Sequence, residues 1–210
     1  MANASRIKEI IEKLYYRSRK RVVILGHSKG GVDSAAALSI YWNQLKDKVV
    51  GLVLAQSPYA GNPVASDILR PGLLKHVNFR KEVVEIFMSG ILNGDLRAIE
   101  DLTYEKRMEF LRSYPLPREI PVDSFHTETC NIDFLKLRYR EKSDGIVTRK
   151  DAEAPGSVVV RSRRKLDHAW IIRPCLNEDP REANNSQLIE ALFTLLVEVA
   201  DRKGRLLLAN

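Results

Sequence analysis

The sequence predicts an α/β fold, a mostly parallel sheet flanked by helices, and three observations carry that expectation. Val22–Leu25 and Val49–Ala55 are short runs with no polar alternation, as expected of strands buried on both faces in a parallel sheet. Helix-period segments separate such runs along the chain, which is the pattern of strand–helix–strand crossovers. A long stretch, residues 58–119, interrupts the alternation after the second strand and has helical periodicity of its own.

Taken in order, Ile7, Ile10, Ile11 and Leu14 fall at helical spacing, so residues 7–16 open the chain as an amphipathic helix. Val22–Leu25 follows as a buried strand ending at Gly26, and residues 31–45, with Val32, Ala35, Ala36, Leu38 and Ile40, suit a tightly packed helix. Val49–Ala55 is the second strand, Pro121–His126 the third and Ser157–Val160 the fourth. Residues 185–200 close the chain as an amphipathic helix with Leu188, Leu192, Leu195 and Val199 as its apolar stripe. Within 58–119, one helix is expected through Val83, Val84, Ile86, Phe87 and Ile91. Another is expected through Leu102, Met108 and Leu111, ended by Pro115 and Pro117. This insertion reads either as crossover helices on the sheet or as a cap over a ligand cleft.

The chain has 210 residues and 44% hydrophobic and 29% charged composition, which excludes disordered and fibrous classes. That length suits one domain over residues 1–210, burying roughly 70% of its unfolded surface. No apolar stretch approaches the roughly 18 residues of a membrane span, and the amino-terminal segment lacks the apolar centre of a secretory signal. Cys130 and Cys175 have no metal-motif spacing and read as free thiols of a reducing compartment, which favours an intracellular soluble protein. An organelle-targeting segment on a longer amino-terminus fits the sequence as well. The net charge of +7 concentrates in Arg17–Arg21 and Arg161–Lys165. Without interleaved aromatics or a recognised module these runs read as solvated faces, so peripheral lipid contact fits them and nucleic-acid binding is not expected. No cofactor or metal is expected.

The chemistry concentrates in Val22-Val23-Ile24-Leu25-Gly26-His27-Ser28-Lys29-Gly30-Gly31, a strand running through Gly-x-Ser-x-Gly into a helix. A tight turn of this kind exposes the Ser28 hydroxyl, and Gly26 and Gly30 are expected to avoid collisions with neighbouring backbone. The helix start aims the Lys29 backbone N–H at the same spot, where it would stabilise an oxyanion. The phosphate-loop and dinucleotide patterns do not fit, because their Gly-Lys-Ser/Thr and Gly-x-Gly elements are missing.

A serine nucleophile needs a base, and the base needs an acid to hold its tautomer. His168, in Leu166-Asp167-His168-Ala169-Trp170, falls after the last strand, where a loop can reach back over the sheet to Ser28. His27 neighbours the serine on the strained turn and points the wrong way; His76 and His126 lie in the insertion and on a strand. For the acid, Asp144 in Ser143-Asp144-Gly145-Ile146-Val147 sits in a loop between the third and fourth strands. Asp123, Asp133 and Asp167 are its rivals.

With these three segments in the order Ser, Asp, His, the chain resembles the α/β-hydrolase superfamily, and within it the lipase-like serine esterases of plants. Ala55-Gln56-Ser57-Pro58-Tyr59-Ala60-Gly61-Asn62-Pro63-Val64-Ala65 also resembles the lipase stretch in which a Pro-aromatic-x-Gly turn follows the next strand. The resemblance implies acyl transfer from a carboxylic ester, lipid esters included, to Ser28 and then to water. His168 would be general base and acid, and Asp144 its orienter. One departure stands out: the family has several strands before the elbow and takes its second oxyanion donor from a loop after one of them. Here only a helix precedes Val22, so the chain reads as lacking the amino-terminal part of the fold. Val22–Leu25 would then be an unpaired apolar edge that favours self-association.

Two functional readings follow, a serine esterase and a catalytically weak or inactive scaffold that keeps the hydrolase frame. The intact Ser28, Asp144 and His168 favour the first, and the missing oxyanion donor the second, since its loss costs on the order of 100-fold in turnover.

Overall fold

The protein is described by a computed structural model that covers residues 2–69, 96–129, 140–172, 181 and 183–208. Its elements run α1 (Ala2–Ser18), β1 (Val22–His27), α2 (Lys29–Leu45), β2 (Val49–Ala55), α3 (Pro63–Leu69), α4 (Leu96–Glu100), α5 (Tyr104–Ser113), β3 (Val122–Glu128), α6 (Arg149–Ala152), β4 (Val158–Lys165), a 3-10 turn (Trp170–Ile172) and α7 (Asn185–Leu208). The four strands form one parallel sheet in the order β1-β2-β3-β4, so each crossover adds the next strand on the same side.

Alternation along these apolar strands divides the core into two layers. On one face Leu52 and Leu54 of β2 and Val122 of β3 pack with Ile11 of α1 and with Ala35, Leu38 and Leu45 of α2; Val22 and Ile24 of β1 join them. On the other face Val53, Ala55 and Phe125 pack with Leu192 and Leu196 of α7 and with Trp170 and Ile171 of the 3-10 turn, joined by Val23 and Leu25. The expected stripe on α7 is therefore rotated: Leu188, Ile189, Leu192, Phe193 and Leu196 face the sheet, and Leu196 takes the place assigned to Leu195. On α1, Ile11 is buried while Ile10 and Leu14 are exposed, because α1 touches the core through one narrow stripe against α2.

Among the described strands β1 pairs only with β2 and β4 only with β3, so both are edges. β4 runs to Lys165, five residues past the expected Val160. The expectation stopped at the first arginine because the charged half of the strand looks unlike a buried one. At an edge, however, cationic side chains are tolerated and discourage pairing with another sheet. Arg161 pairs with Glu153 at 3.1 Å, Lys165 with Glu128 at 2.7 Å, and the Arg164 guanidinium lies 5.4 Å from the Trp170 ring centre. The second basic run is thus half an edge strand.

In the insertion, Thr103 caps α5 by accepting a hydrogen bond from Lys106 N at 3.3 Å, so Leu102 belongs to the turn before the helix. Met108 faces solvent. The side chain that α5 buries is Arg107, whose Nε donates to the Tyr59 carbonyl at 2.9 Å and whose guanidinium carbon lies 5.6 Å from the Tyr59 ring centre and 5.3 Å from that of Phe110. The helix expected through Val83–Ile91, together with Cys130 and Cys175, lies outside the described residues. No described helix is long and apolar enough to cross a membrane.

One buried group works against stability. Asp123 of β3 is fully buried, neither carboxylate oxygen has a hydrogen-bond partner among the described residues, and burial raises its pKa from 3.8 to about 6. Between about pH 3.8 and 6 the folded state therefore holds a proton that the unfolded chain has released, and above about pH 6 the folded state carries the buried charge. Stability is highest below the unfolded value of 3.8 and falls as pH rises through about 6. Asp123→Asn removes the charge at constant shape. It should stabilise the protein by about 1–3 kcal/mol at pH 7.5 and by nearly nothing at pH 4. Denaturant midpoints of both proteins at the two pH values measure this, and equal midpoints at pH 7.5 would refute it.

Candidate active site

The site is assembled by segments that all leave the carboxyl ends of parallel strands, where open α/β sheets place their ligand crevices. Ser28 follows β1, Gln56 follows β2, the 143–148 loop follows β3 and the 166–170 loop follows β4.

The turn after β1 is sharp. Ser28 has φ 52° and ψ −129°, a positive φ that a side chain adopts only under constraint. The constraint comes from both sides: Ser28 N donates to the Ala55 carbonyl at 3.0 Å, and Gly31 N donates to the Ser28 carbonyl at 3.0 Å. The turn brings α2 hard against the end of β1. A Cβ at Gly26 would overlap Gly31 Cα and lie 2.7 Å from Gly31 N, and one at Gly31 would overlap Ser57 Oγ and lie 2.7 Å from Gly26 O. Gly30, by contrast, has nothing within 4 Å of its would-be Cβ. The collision expected at Gly30 thus occurs at Gly31, because residue 30 points outward from the first turn of α2. Gly26→Ala should cost roughly 3 kcal/mol or more because backbone must move. Gly30→Ala should be neutral or slightly stabilising. Thermal unfolding of the two variants provides the check, and equal melting temperatures would contradict it.

His168 Nδ1 lies 2.8 Å from Asp144 Oδ2, and the His168 backbone N–H donates to the Asp144 carbonyl at 3.0 Å. The Asp144 carboxylate is itself fixed, its Oδ1 accepting from Ile146 N at 3.0 Å and Val147 N at 2.8 Å. Both side chains are buried. A neutral His168 donating Nδ1–H to the carboxylate keeps its lone pair on Nε2, the form a general base needs. His168 Nε2 and Ser28 Oγ are both buried and neither has a hydrogen-bond partner among the described residues. Lys29 is the first residue of α2, so its N–H has no intrahelical acceptor.

The rival residues lie elsewhere. Asp123 is buried within β3, and Asp167 is exposed and accepts from Ala169 N at 2.9 Å. His126 pairs with Glu153 at 3.1 Å, and burial lowers its pKa. Asp133 and His76 lie outside the described residues. His27, expected to point away, instead lies against His168, its Nε2 2.8 Å from the His168 carbonyl oxygen.

Several supporting residues escaped the sequence. Gln56, with φ 49°, donates from Nε2 to Thr127 Oγ1 at 2.7 Å and to the Asp167 carbonyl at 2.9 Å, tying the base loop to β2 and β3. Asn62 donates to the Ile146 carbonyl at 2.9 Å while its Oδ1 accepts from Val64 N at 2.9 Å, joining the acid loop to the start of α3. Asp151 accepts from Tyr104 OH at 2.7 Å and from Thr148 Oγ1, joining the acid loop to α5. Lys29 Nζ pairs with Asp33 at 2.7 Å and Asp101 at 3.4 Å, joining the elbow to the insertion. Gln56 and Asn62 both fall in the segment 55–65 noted above for its lipase resemblance, which is the signal that marked them. Among the described residues no group of His, Cys, Asp and Glu is placed to hold a metal ion.

Comparison with solved structures finds the fold of this chain similar to that of lipase BlEst2 of Bacillus licheniformis in its mature form, with a TM-score of 0.68 at 19% identity, covering 92% of this chain and 73% of that one. The chain has the α/β-hydrolase fold. The propeptide form of BlEst2 matches this α/β-hydrolase-fold chain with a TM-score of 0.67 at 18% identity, and a metagenomic carboxyl esterase with 0.62 at 22%. Each match covers 93% of this chain, which spans 40% of the propeptide form and 62% of the esterase. Residues 4–101 match the family model of the PGAP1-like alpha/beta domain. No curated protein matches the sequence.

Proposed function

We propose that this α/β-hydrolase-fold chain is a serine hydrolase of carboxylic esters that works through an acyl-enzyme on Ser28. The observation that carries the proposal is the buried Asp144–His168 pair at 2.8 Å, whose Nε2 has no hydrogen-bond partner among the described residues and belongs to the loop that rests on the Ser28 elbow through His27. The names of the matched structures, a lipase and a carboxyl esterase, agree with ester chemistry.

In this reading Ser28 Oγ attacks the ester carbonyl carbon as its proton passes to His168 Nε2. The carbonyl π pair becomes an oxyanion that the Lys29 N–H stabilises. Collapse breaks the acyl–oxygen bond, and the leaving alkoxide takes the proton from His168 and departs as the alcohol. Water then gives a proton to His168 and attacks the acyl carbon, releasing the carboxylic acid and restoring Ser28. Asp144 remains a carboxylate and stabilises the imidazolium formed in each half-reaction.

Intact mass after treatment with a fluorophosphonate tests this proposal. One adduct, mapped to Ser28 and absent from Ser28→Ala, supports it. A chain that elutes as a folded species in gel filtration, takes no adduct and hydrolyses no ester would overturn it in favour of an inactive scaffold. The same elution volume reports any self-association through the β1 edge.

A further inference from the structure

His27 ends β1 and directly precedes Ser28, and its Nε2 lies 2.8 Å from the backbone oxygen of His168. A carbonyl oxygen only accepts, so Nε2 carries the proton and donates. The two imidazole rings lie 4.7 Å apart between centres, tilted by 44°. His168 is thus held at three points: its carbonyl by His27, its N–H by the Asp144 carbonyl and its Nδ1 by Asp144 Oδ2. Two of these restraints come from the acid loop. The third comes from the strand residue joined to Ser28 itself, so it refers the height of the base directly to the nucleophile.

We infer that His27 is a positioning residue that sets the His168 imidazole over Ser28 by holding its carbonyl oxygen; this rests on the Ser28–His168–Asp144 reading above. The contact is rigid at both ends. His27 pairs with Ala55 in the sheet, and Gln56 holds the adjoining Asp167 carbonyl at 2.9 Å. Proton transfer is steep in geometry, and a misplacement of about 1 Å costs on the order of 100-fold. The donor also has to stay neutral, since a second cation would oppose the imidazolium that forms on His168. Burial is the main cause that holds the His27 pKa below its ordinary value. The charge of His168 adds to it, while the His168 carbonyl and Asp144 act the other way. Among the described residues His168 and Asp144 are the titratable groups that act on it.

The test compares p-nitrophenyl butyrate turnover against pH, and fluorophosphonate inactivation rates, for the wild type and for His27→Gln, His27→Asn and His27→Phe. Glutamine places its amide nitrogen near the position of Nε2 and can still donate. Asparagine falls short of the carbonyl, and phenylalanine keeps the ring face without the donor. The Asn and Phe variants are expected to lose about 10- to 100-fold in kcat with KM within about twofold. Their acid limb of kcat/KM should move to lower pH, as a loosened His168 pairs less well with Asp144. The Gln variant should stay within about threefold of wild type with an unmoved limb. Full activity in the Phe variant would overturn the inference. So would equal losses in all three variants with an unmoved limb, which would make His27 a packing residue. If the Phe variant does not fold, the Asn–Gln comparison decides alone. A wild type that takes no adduct at Ser28 would refute the underlying hydrolase reading, an outcome distinct from any ranking of the variants.

Discussion

Ser28→Ala should lower the hydrolysis of an activated ester by roughly 10⁵-fold or more while leaving the melting temperature within a few degrees. In the proposed mechanism the loss is large because His168 and Asp144 would serve catalysis through the serine oxygen, so removing that oxygen would idle the whole group. The fold should survive, because Ser28 Oγ makes no hydrogen bond with any described residue. The positive φ of 52° is held by backbone bonds to Ala55 and Gly31 that alanine keeps. Steady-state rates and thermal unfolding on the same preparations check both halves. An alanine variant that retained a tenth of the wild-type rate would remove Ser28 from the mechanism.

Asp144→Asn should cost about 10⁴-fold in turnover with little loss of stability. The reason lies in how the carboxylate is gripped. Oδ1 accepts from Ile146 N and Val147 N, a role that an amide oxygen can fill and an amide nitrogen cannot. Asparagine is therefore locked with its oxygen toward those N–H groups and its NH₂ toward His168 Nδ1. Nδ1 has to become the acceptor, the ring proton moves to Nε2, and the proposed base loses its Nε2 lone pair. The pH–rate profile and the burst amplitude with p-nitrophenyl butyrate measure the effect. Retention of more than about a tenth of the wild-type rate would show that Asp144 does not set the tautomer.

The parts of the fold that could be read from the sequence are those whose residues announce their own surroundings. Val22–Leu25 and Val49–Ala55 are apolar at every position, and both proved to be sheet strands with core on each face. The charged end of β4 is not legible in the sequence because Arg161–Lys165 belongs to an edge, and only the sheet order decides which strand is an edge. The sequence does not distinguish Leu195 from Leu196 as the stripe on α7, because several phases of a leucine-rich helix look equally apolar. The helix axis relative to the sheet selects Leu196.

The candidate site divides in the same way. Gly26-His27-Ser28-Lys29-Gly30 is local, and a strand–turn–helix with its serine at positive φ follows from that short segment. The choice of His168 and Asp144 also came from chain order, since loops after successive parallel strands arrive at the same edge of a sheet. Their 2.8 Å contact, the grip of Ile146 and Val147 on the carboxylate, and the His27 bond to the His168 carbonyl depend on residues up to 141 positions apart. Sequence alone therefore determined which kinds of chemistry the chain carries and at which end of the sheet they collect. Tertiary structure alone decided how the carboxylate is gripped, which glycine is crowded and which histidine touches the other. Hydrogen bonding and close packing act over a few ångströms, and only the folded chain sets those distances.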